Sequence, residues 1–182
     1  MTIVEHLEAH LGPVCEGWGT GQPKTVPVVR FRNRPTNGAS AYSTLGLSNH
    51  ILQLRVGKDV RMELVFAAYD TFDAKAIASF LSTFADHLLA THSALPRGQV
   101  VGPRTPIIPG VKMSAVYASI PVVFGEAFAT YEETSPSTVL VWLIPLLPEE
   151  AHYVHQHGWK SFETLLEQKN PDLLDLRRMP VI

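Results

Sequence analysis

The sequence predicts an α+β fold: a mixed, largely antiparallel central sheet with helices packed on it in a single layered domain. Two apolar segments at 51–56 and 60–66, joined by a short Gly-containing turn, are typical of a β-hairpin. The apolar stripe that follows, from Ile77 to Leu88, has helical spacing. The continuously apolar run at 138–144 indicates a strand buried on both faces. This order of elements does not match a strict βαβ repeat.

The N-terminal part is predicted to form one helix and then a loop. Residues 2–5 match a capping box, and the Gly-Pro pair at 12–13 ends the helix. The glycines of 16–23 do not have the spacing of a phosphate-binding loop, so we predict a flexible loop there. The predicted organisation is an N-terminal helix and flexible loop, 1–24, followed by the rest of a single globular domain, 25–182.

The predicted hairpin has a defined register and places one acid on its polar face. Val56 is predicted to lie opposite Val60, which directs the leucines of the hairpin to one face. Glu63 then lies on the other face, inside an otherwise apolar strand. An acid in that position needs a partner, and we expect Arg55 or Arg61 to provide it.

The remaining elements are predicted mainly from their ends. Asp73 suits the N-cap of the helix that carries the apolar stripe. Four prolines and three glycines over 96–110 predict a long irregular loop. The Pro-Glu-Glu sequence at 148–150 begins a helix that Gly158 ends, and Ser161 could cap a last one. Two further strands are predicted near 26–31 and 115–124.

Composition excludes several function classes. The 182 residues are 46% apolar and 18% charged, with a net charge near −2, so no basic field draws the chain to nucleic acid or anionic lipid. The single cysteine, Cys15, excludes intramolecular disulfides and fits a reducing compartment. The apolar run 139–147 is far shorter than the roughly 20 residues of a membrane span. With no signal-peptide pattern either, we expect a cytoplasmic protein with no membrane partner.

The segment 46–50, Gly-Leu-Ser-Asn-His, superficially resembles the nucleophile elbow of a hydrolase. That elbow requires a second glycine where this chain has His50, and it leads into a helix rather than a strand. We therefore predict a turn, in which Gly46 serves the backbone shape and Ser48 makes a hydrogen bond.

Three histidines near one helix end are the other candidate for chemistry. His152 and His155 would share a helical face, whereas His157 would point away, and the i, i+4 pair of helical zinc sites is missing. Solvated histidines at a helix end are the favoured interpretation, and no metal or cofactor is predicted. A metal- or histidine-dependent hydrolase that uses His50 or the His152/His155 cluster remains the alternative function.

Three segments taken in order resemble the suppressor-of-fused domain family, and in particular its bacterial single-domain members. They are 44–48, then 63–65 in the following strand, then 143–150 leading into the helix that Gly158 ends. Leu165 and the closing Asp-Leu-Arg-Arg at 175–178 complete a pattern that spans roughly 25–180.

The resemblance implies a non-catalytic, protein-binding domain. Bacterial members of this size act as immunity proteins, so the implied partner is a cognate toxin domain or another protein. Animal members hold a transcription-factor peptide with the help of a second domain that this sequence does not contain, so that partner is not carried over. Such a function predicts an exposed apolar patch or an open sheet edge. The family-motif positions, which could shape a binding surface or serve the fold alone, are Thr44, Gly46, Ser48, Glu63, Pro148, Glu149 and Glu150.

Overall fold

The computed structural model describes residues 1–19 and 25–182. Within them the chain forms four α-helices and nine β-strands. The helices are α1 (Ile3–Leu11), α2 (Ala74–Thr91), α3 (Pro148–His157) and α4 (Trp159–Lys169). The strands are β1 (Glu16–Trp18), β2 (Val28–Arg32), β3 (Ala39–Thr44), β4 (Leu52–Gln53), β5 (Asp59–Tyr69), β6 (Val100–Val101), β7 (Ala115–Ser119), β8 (Thr130–Tyr131) and β9 (Thr138–Leu146).

The strands form one mixed sheet. Its order is β1-β2-β3-β5-β9-β7-β6, with β4 paired to β5 and β8 paired to β9. Strands β5 and β9 run parallel, from Arg61 opposite Thr138 to Val65 opposite Trp142, and the other described pairs are antiparallel. The predicted fold class, a mixed and largely antiparallel sheet with helices packed on it, is confirmed.

Helices cover both faces of the sheet. Along β5, Leu64 and Phe66 join the core beneath α2, whereas Val65 points the opposite way, as the two-residue period of a strand requires. Helix α1 packs on that opposite face through Leu7 and Leu11. Farther along the same face, α3 and α4 pack against β7 and β9. Strand β9 is buried on both sides, as its continuously apolar sequence predicted.

The N-terminal prediction is confirmed for the helix and wrong for part of the loop. Thr2 and Glu5 form the capping box of α1, and Gly12 is its C-cap. Residues Glu16–Trp18, however, form β1, with Gly17 opposite Val29. They can do so because β2 offers them an unpaired edge. The rest of the predicted loop falls largely on 20–24, outside the described residues.

The hairpin is present, but its predicted register is wrong. Leu52, not Val56, lies opposite Val60, and Val56 is 85% exposed in the turn. Strand β4 is short because the backbone of Gln53 is also engaged outside the hairpin: its N–H donates to the carbonyl of His92, and its carbonyl accepts from Ala94. The residue opposite Val60 is thus Leu52 instead of the predicted Val56, a shift by an even number of positions along the strand. Because side chains alternate between the two faces, Leu52 still points into the core.

The later helices begin and end largely as predicted. The side chain of Asp73 caps α2 by accepting from the Ala76 N–H at 3.0 Å, and Pro148 begins α3. The start of α4 differs, because Gly158 ends α3 and directly precedes Trp159, the first residue of α4; Ser161 is therefore not its cap. Among the described helices, none has the length and hydropathy needed to cross a membrane.

Candidate functional site

One group of family-motif residues surrounds the carboxylate of Glu63, which is fully buried on β5. Its Oε1 accepts hydrogen bonds from the Gly46 N–H at 2.8 Å, the Ser48 N–H at 3.0 Å and the Ser48 Oγ at 2.7 Å. Its Oε2 accepts from Thr44 Oγ1 at 2.5 Å. The carboxylate therefore fixes the backbone conformation of the segment that connects β3 to β4.

The local backbone explains why these donors converge. Gly46 has a φ of +106°, a conformation that residues with side chains rarely adopt, and it leads into a 3₁₀ turn over Leu47–Asn49. Thr44 also accepts a hydrogen bond from the Leu64 N–H, which ties the end of β3 to β5. The predicted turn, with Gly46 for backbone shape and Ser48 for a hydrogen bond, is confirmed.

The prediction that Arg55 or Arg61 pairs with Glu63 is wrong. Arg61 instead donates to the Ser48 carbonyl at 2.8 Å, and Arg55 is exposed beside the hairpin turn. The four donors of the 44–48 segment satisfy the carboxylate without a cation. This arrangement could not be read from the hairpin alone, because the segment that provides the donors precedes the hairpin.

Burial raises the pKa of Glu63 above its ordinary 4.5, and the hydrogen bonds from Thr44, Ser48 and Gly46 oppose the rise. The folded state therefore binds a proton more tightly than the unfolded state. The stability gained from that proton is fully present below pH 4.5 and is lost as the pH rises through the raised pKa.

We expect this linkage to be visible in a comparison of the wild type with Glu63→Gln, which cannot titrate. The wild-type free energy of unfolding, minus that of the variant, should fall as the pH rises from 4.5. Urea denaturation of both proteins over a series of pH values measures this difference. A difference that stays constant, or that grows with pH, would contradict the raised pKa.

The second group of motif residues surrounds Glu150, which is also fully buried. Arg178 donates to both of its oxygens, at 2.6 and 2.9 Å, and the Arg178 side chain is only 5% exposed. The backbone N–H groups of Leu147 and Val181 donate to the same carboxylate at 3.0 Å each. This ion pair joins the C-terminal segment to the start of α3. The sequence pattern contained both charges but did not predict that they pair.

The motif positions form two clusters rather than one site. Glu63 lies opposite Leu140 near the start of β9, whereas Glu150 follows the end of that strand. The strand rises by six residues from Leu140, beside Glu63, to Leu146, just before the start of α3. This rise places the two clusters about 20 Å apart along the strand direction. Thr44, Ser48, Glu63 and Glu150 are buried, Gly46 is half-buried, and Pro148 and Glu149 are exposed.

The histidines do not converge on a site. His50 follows the 3₁₀ turn, His152 and His155 lie on α3, and all three are exposed. In the part of the chain that the structure describes, no group of three or more His, Cys, Asp or Glu residues is placed to hold a metal ion. Their placement therefore gives the hydrolase alternative no support.

The sequence did not predict a groove of about 600 Å³ between α2 and the loop that follows β6. Phe80 and Phe84 belong to the apolar stripe of α2, but they lie at its margin, half-buried, and line the groove. The signal in the sequence was the width of the apolar stripe: Ile77, Leu81 and Leu88 are buried in the core, whereas the two rings pack at its edge. The proline-rich loop provides the opposite wall.

Comparison with known proteins gives concordant results. The family model described as suppressor of fused protein matches residues 22–179. The immunity protein YqcF of Bacillus subtilis (strain 168) is 24% identical over 171 residues, which cover 93% of this chain and 88% of YqcF.

Solved structures share the fold at low sequence identity. A suppressor-of-fused homologue from Neisseria gonorrhoeae FA 1090 has a TM-score of 0.77 at 16% identity, covering 99% of this chain and 94% of its own. The Sufu–Fu complex has a TM-score of 0.73 at 14% identity, covering 98% and 90%. Drosophila Suppressor of Fused has a TM-score of 0.72 at 15% identity, but the match covers 98% of this chain and only 50% of the fly protein. With the family match extending over most of its length, this chain belongs to the suppressor of fused protein family.

Proposed function

We propose that this chain is a non-catalytic protein-binding domain that acts as an immunity protein and neutralises a cognate toxin by binding it. The observation that carries the proposal is the similarity to an immunity protein over 93% of this chain and 88% of that relative. Because the similarity extends over most of both chains, it involves the domain as a whole and not a shared fragment. A structural neighbour from a complex, Sufu–Fu, supports a protein as the partner.

The surface is consistent with this proposal. A binding domain needs exposed apolar area, and the groove beside α2 leaves the rings of Phe80 and Phe84 half-buried instead of sealed in the core. We propose that the motif positions support such a surface indirectly. The Glu63 cluster holds the 44–48 segment, and the Glu150 cluster holds the start of α3, where Pro148 and Glu149 are exposed.

The experiment is to co-express the chain with the C-terminal domain of the protein encoded by the neighbouring gene, which the proposal expects to be the toxin domain. We propose a cytoplasmic location for the chain, so both proteins are produced there, and growth of the host is measured with and without this chain. We expect growth to be restored and the two purified proteins to elute as one complex in size-exclusion chromatography. A toxin domain inactivated at its own active site serves as the control. Its amount in cells with and without this chain shows whether the chain only lowers expression of the toxin domain. Failure of the purified pair to form a complex would overturn the proposed function.

A further inference from the structure

The wall of the groove on α2 is one continuous helical face. Its residues follow the spacing i, i+3, i+4, i+7, i+8 and i+11, which places them on one side of the helix over about 16 Å. Phe80 and Phe84 provide the apolar area, and their ring centroids lie 5.8 Å apart. Phe80 also packs edge-on against the fully buried Phe66, with centroids 6.0 Å apart, so this wall is anchored in the core. The groove-lining residues of α2 are Ala76, Ser79, Phe80, Thr83, Phe84 and His87.

The opposite wall is held in place without any partner. The Arg104 N–H donates to the Ser114 carbonyl at 2.9 Å, and the Ile107 N–H donates to the Met113 carbonyl at 2.9 Å. A Cβ atom at Gly102 would lie 2.7 Å from the Ser114 carbonyl oxygen, so the two arms of the loop approach more closely than a side chain allows. The groove is therefore preformed, and a ligand would lose little binding free energy in ordering it.

The groove lining carries a fixed positive charge, that of Arg104. Its ionisable lining residues are His87 and Arg104, and none of the lining residues is an acid within the part of the chain that the structure describes. Arg104 is exposed, and within the same part its guanidinium makes no hydrogen bond or ion pair. A carboxylate is the natural complement of such a group beside apolar walls.

On the basis of the proposed function, we infer that this groove receives an apolar segment of the protein partner that carries at least one carboxylate. The length of about 16 Å accommodates roughly five residues of extended chain or three turns of helix. Phe80 and Phe84 contact its apolar side chains, and Arg104 pairs with its acid. The hydroxyls of Ser79 and Thr83 also line the groove and can bind its backbone.

Two charge-introducing variants test the groove against the same C-terminal domain of the neighbouring gene's protein, the expected toxin domain. Thr83→Glu and Arg104→Glu both change exposed lining residues, and each should weaken binding at least about tenfold in isothermal titration calorimetry. Thr164→Glu on α4 and Arg32→Glu on β2 are matched controls outside the groove, also at exposed positions, and should bind like the wild type. Thermal unfolding of each variant verifies that it is folded. If the wild type binds and both groove variants bind equally well, the groove inference is wrong and the proposed function stands.

A second experiment does not depend on the toxin. A phage library of random peptides of about 12 residues is selected against the wild-type chain. We expect enriched peptides to combine apolar residues with Asp or Glu, and to lose binding to Thr83→Glu and Arg104→Glu but not to the controls. If the toxin domain fails to bind but such peptides are found, the proposed function is wrong and the groove inference is supported. An absence of enriched peptides, or equal binding by the groove variants, overturns the inference.

Discussion

Replacing Glu63 with alanine is expected to lower the free energy of unfolding by about 3–5 kcal/mol. The substitution removes the common acceptor of four donors, two backbone N–H groups and two hydroxyls, most of them buried. A buried donor left without an acceptor costs about 1–3 kcal/mol. The variant no longer buries a carboxylate, and the desolvation energy that this saves offsets part of the summed cost of the donors. Urea denaturation at neutral pH, with linear extrapolation to water, measures the change.

Glu63→Gln separates the shape of this cluster from its charge. The amide oxygen can still accept the three hydrogen bonds that reach Oε1, while its NH₂ group faces Thr44 Oγ1, which already accepts from the Leu64 N–H. We therefore expect a smaller loss, about 1–2 kcal/mol. Glu133→Ala, which removes an exposed glutamate, should change stability by less than about 0.5 kcal/mol. A Glu63→Ala protein as stable as Glu133→Ala would show that the carboxylate does not organise the 44–48 segment.

Arg178→Ala should have a comparable effect, a loss of about 3–5 kcal/mol, through a different mechanism. The variant leaves the fully buried Glu150 carboxylate without its cation, and only the N–H groups of Leu147 and Val181 still donate to it. It also removes the donor to the Pro145 carbonyl at the end of β9. The same denaturation measurement applies.

The neighbouring arginine provides the control for this second variant. Arg177 is exposed, with its guanidinium carbon 5.4 Å from the centre of the Phe72 ring, so Arg177→Ala should cost no more than about 1 kcal/mol. If Arg178→Ala loses stability because the buried Glu150 carboxylate has no cation, then adding Glu150→Gln should restore part of the lost free energy of unfolding. A double variant no more stable than Arg178→Ala alone would contradict that explanation.

The buried clusters and the groove can be distinguished by what their variants change. Glu63 and Glu150 are fully buried, so substitutions there should affect a partner only through stability or through the segments that they hold. Thr83 and Arg104 are exposed, so charge-changing substitutions there should weaken binding while the unfolding transition is nearly unchanged. Measuring both quantities for each variant therefore separates residues that maintain the fold from residues that contact a partner.

The elements that the sequence predicted well are those whose signals lie within one turn or one strand. The capping box of Thr2 and Glu5, the Asp73 cap of α2 and the proline that begins α3 each act within four residues. The apolar run of β9 likewise needed no partner to identify it, because only a strand covered on both faces tolerates such a sequence. The ordered motifs at 44–48, 63–65 and 143–150 were sufficient to indicate the family that the comparisons show.

The features that were mispredicted or missed depend on contacts between distant segments. The hairpin register shifted because Gln53 bonds to residues 92–94, a competitor far along the chain. Residues Glu16–Trp18 became a strand because β2 had a free edge. Glu63 was assigned an arginine from its own hairpin, whereas its donors come from the end of β3 and the turn after it.

By itself, the sequence determined the first three helices with their caps, the central buried strand, the α+β class and the family. The tertiary structure decided which charged groups are buried and what satisfies them. It also decided that the rings of Phe80 and Phe84 line a groove beside the exposed Arg104. The physical reason is that helical and strand periodicity are properties of neighbouring residues, whereas the environment of a carboxylate or a ring depends on which distant segments pack against it.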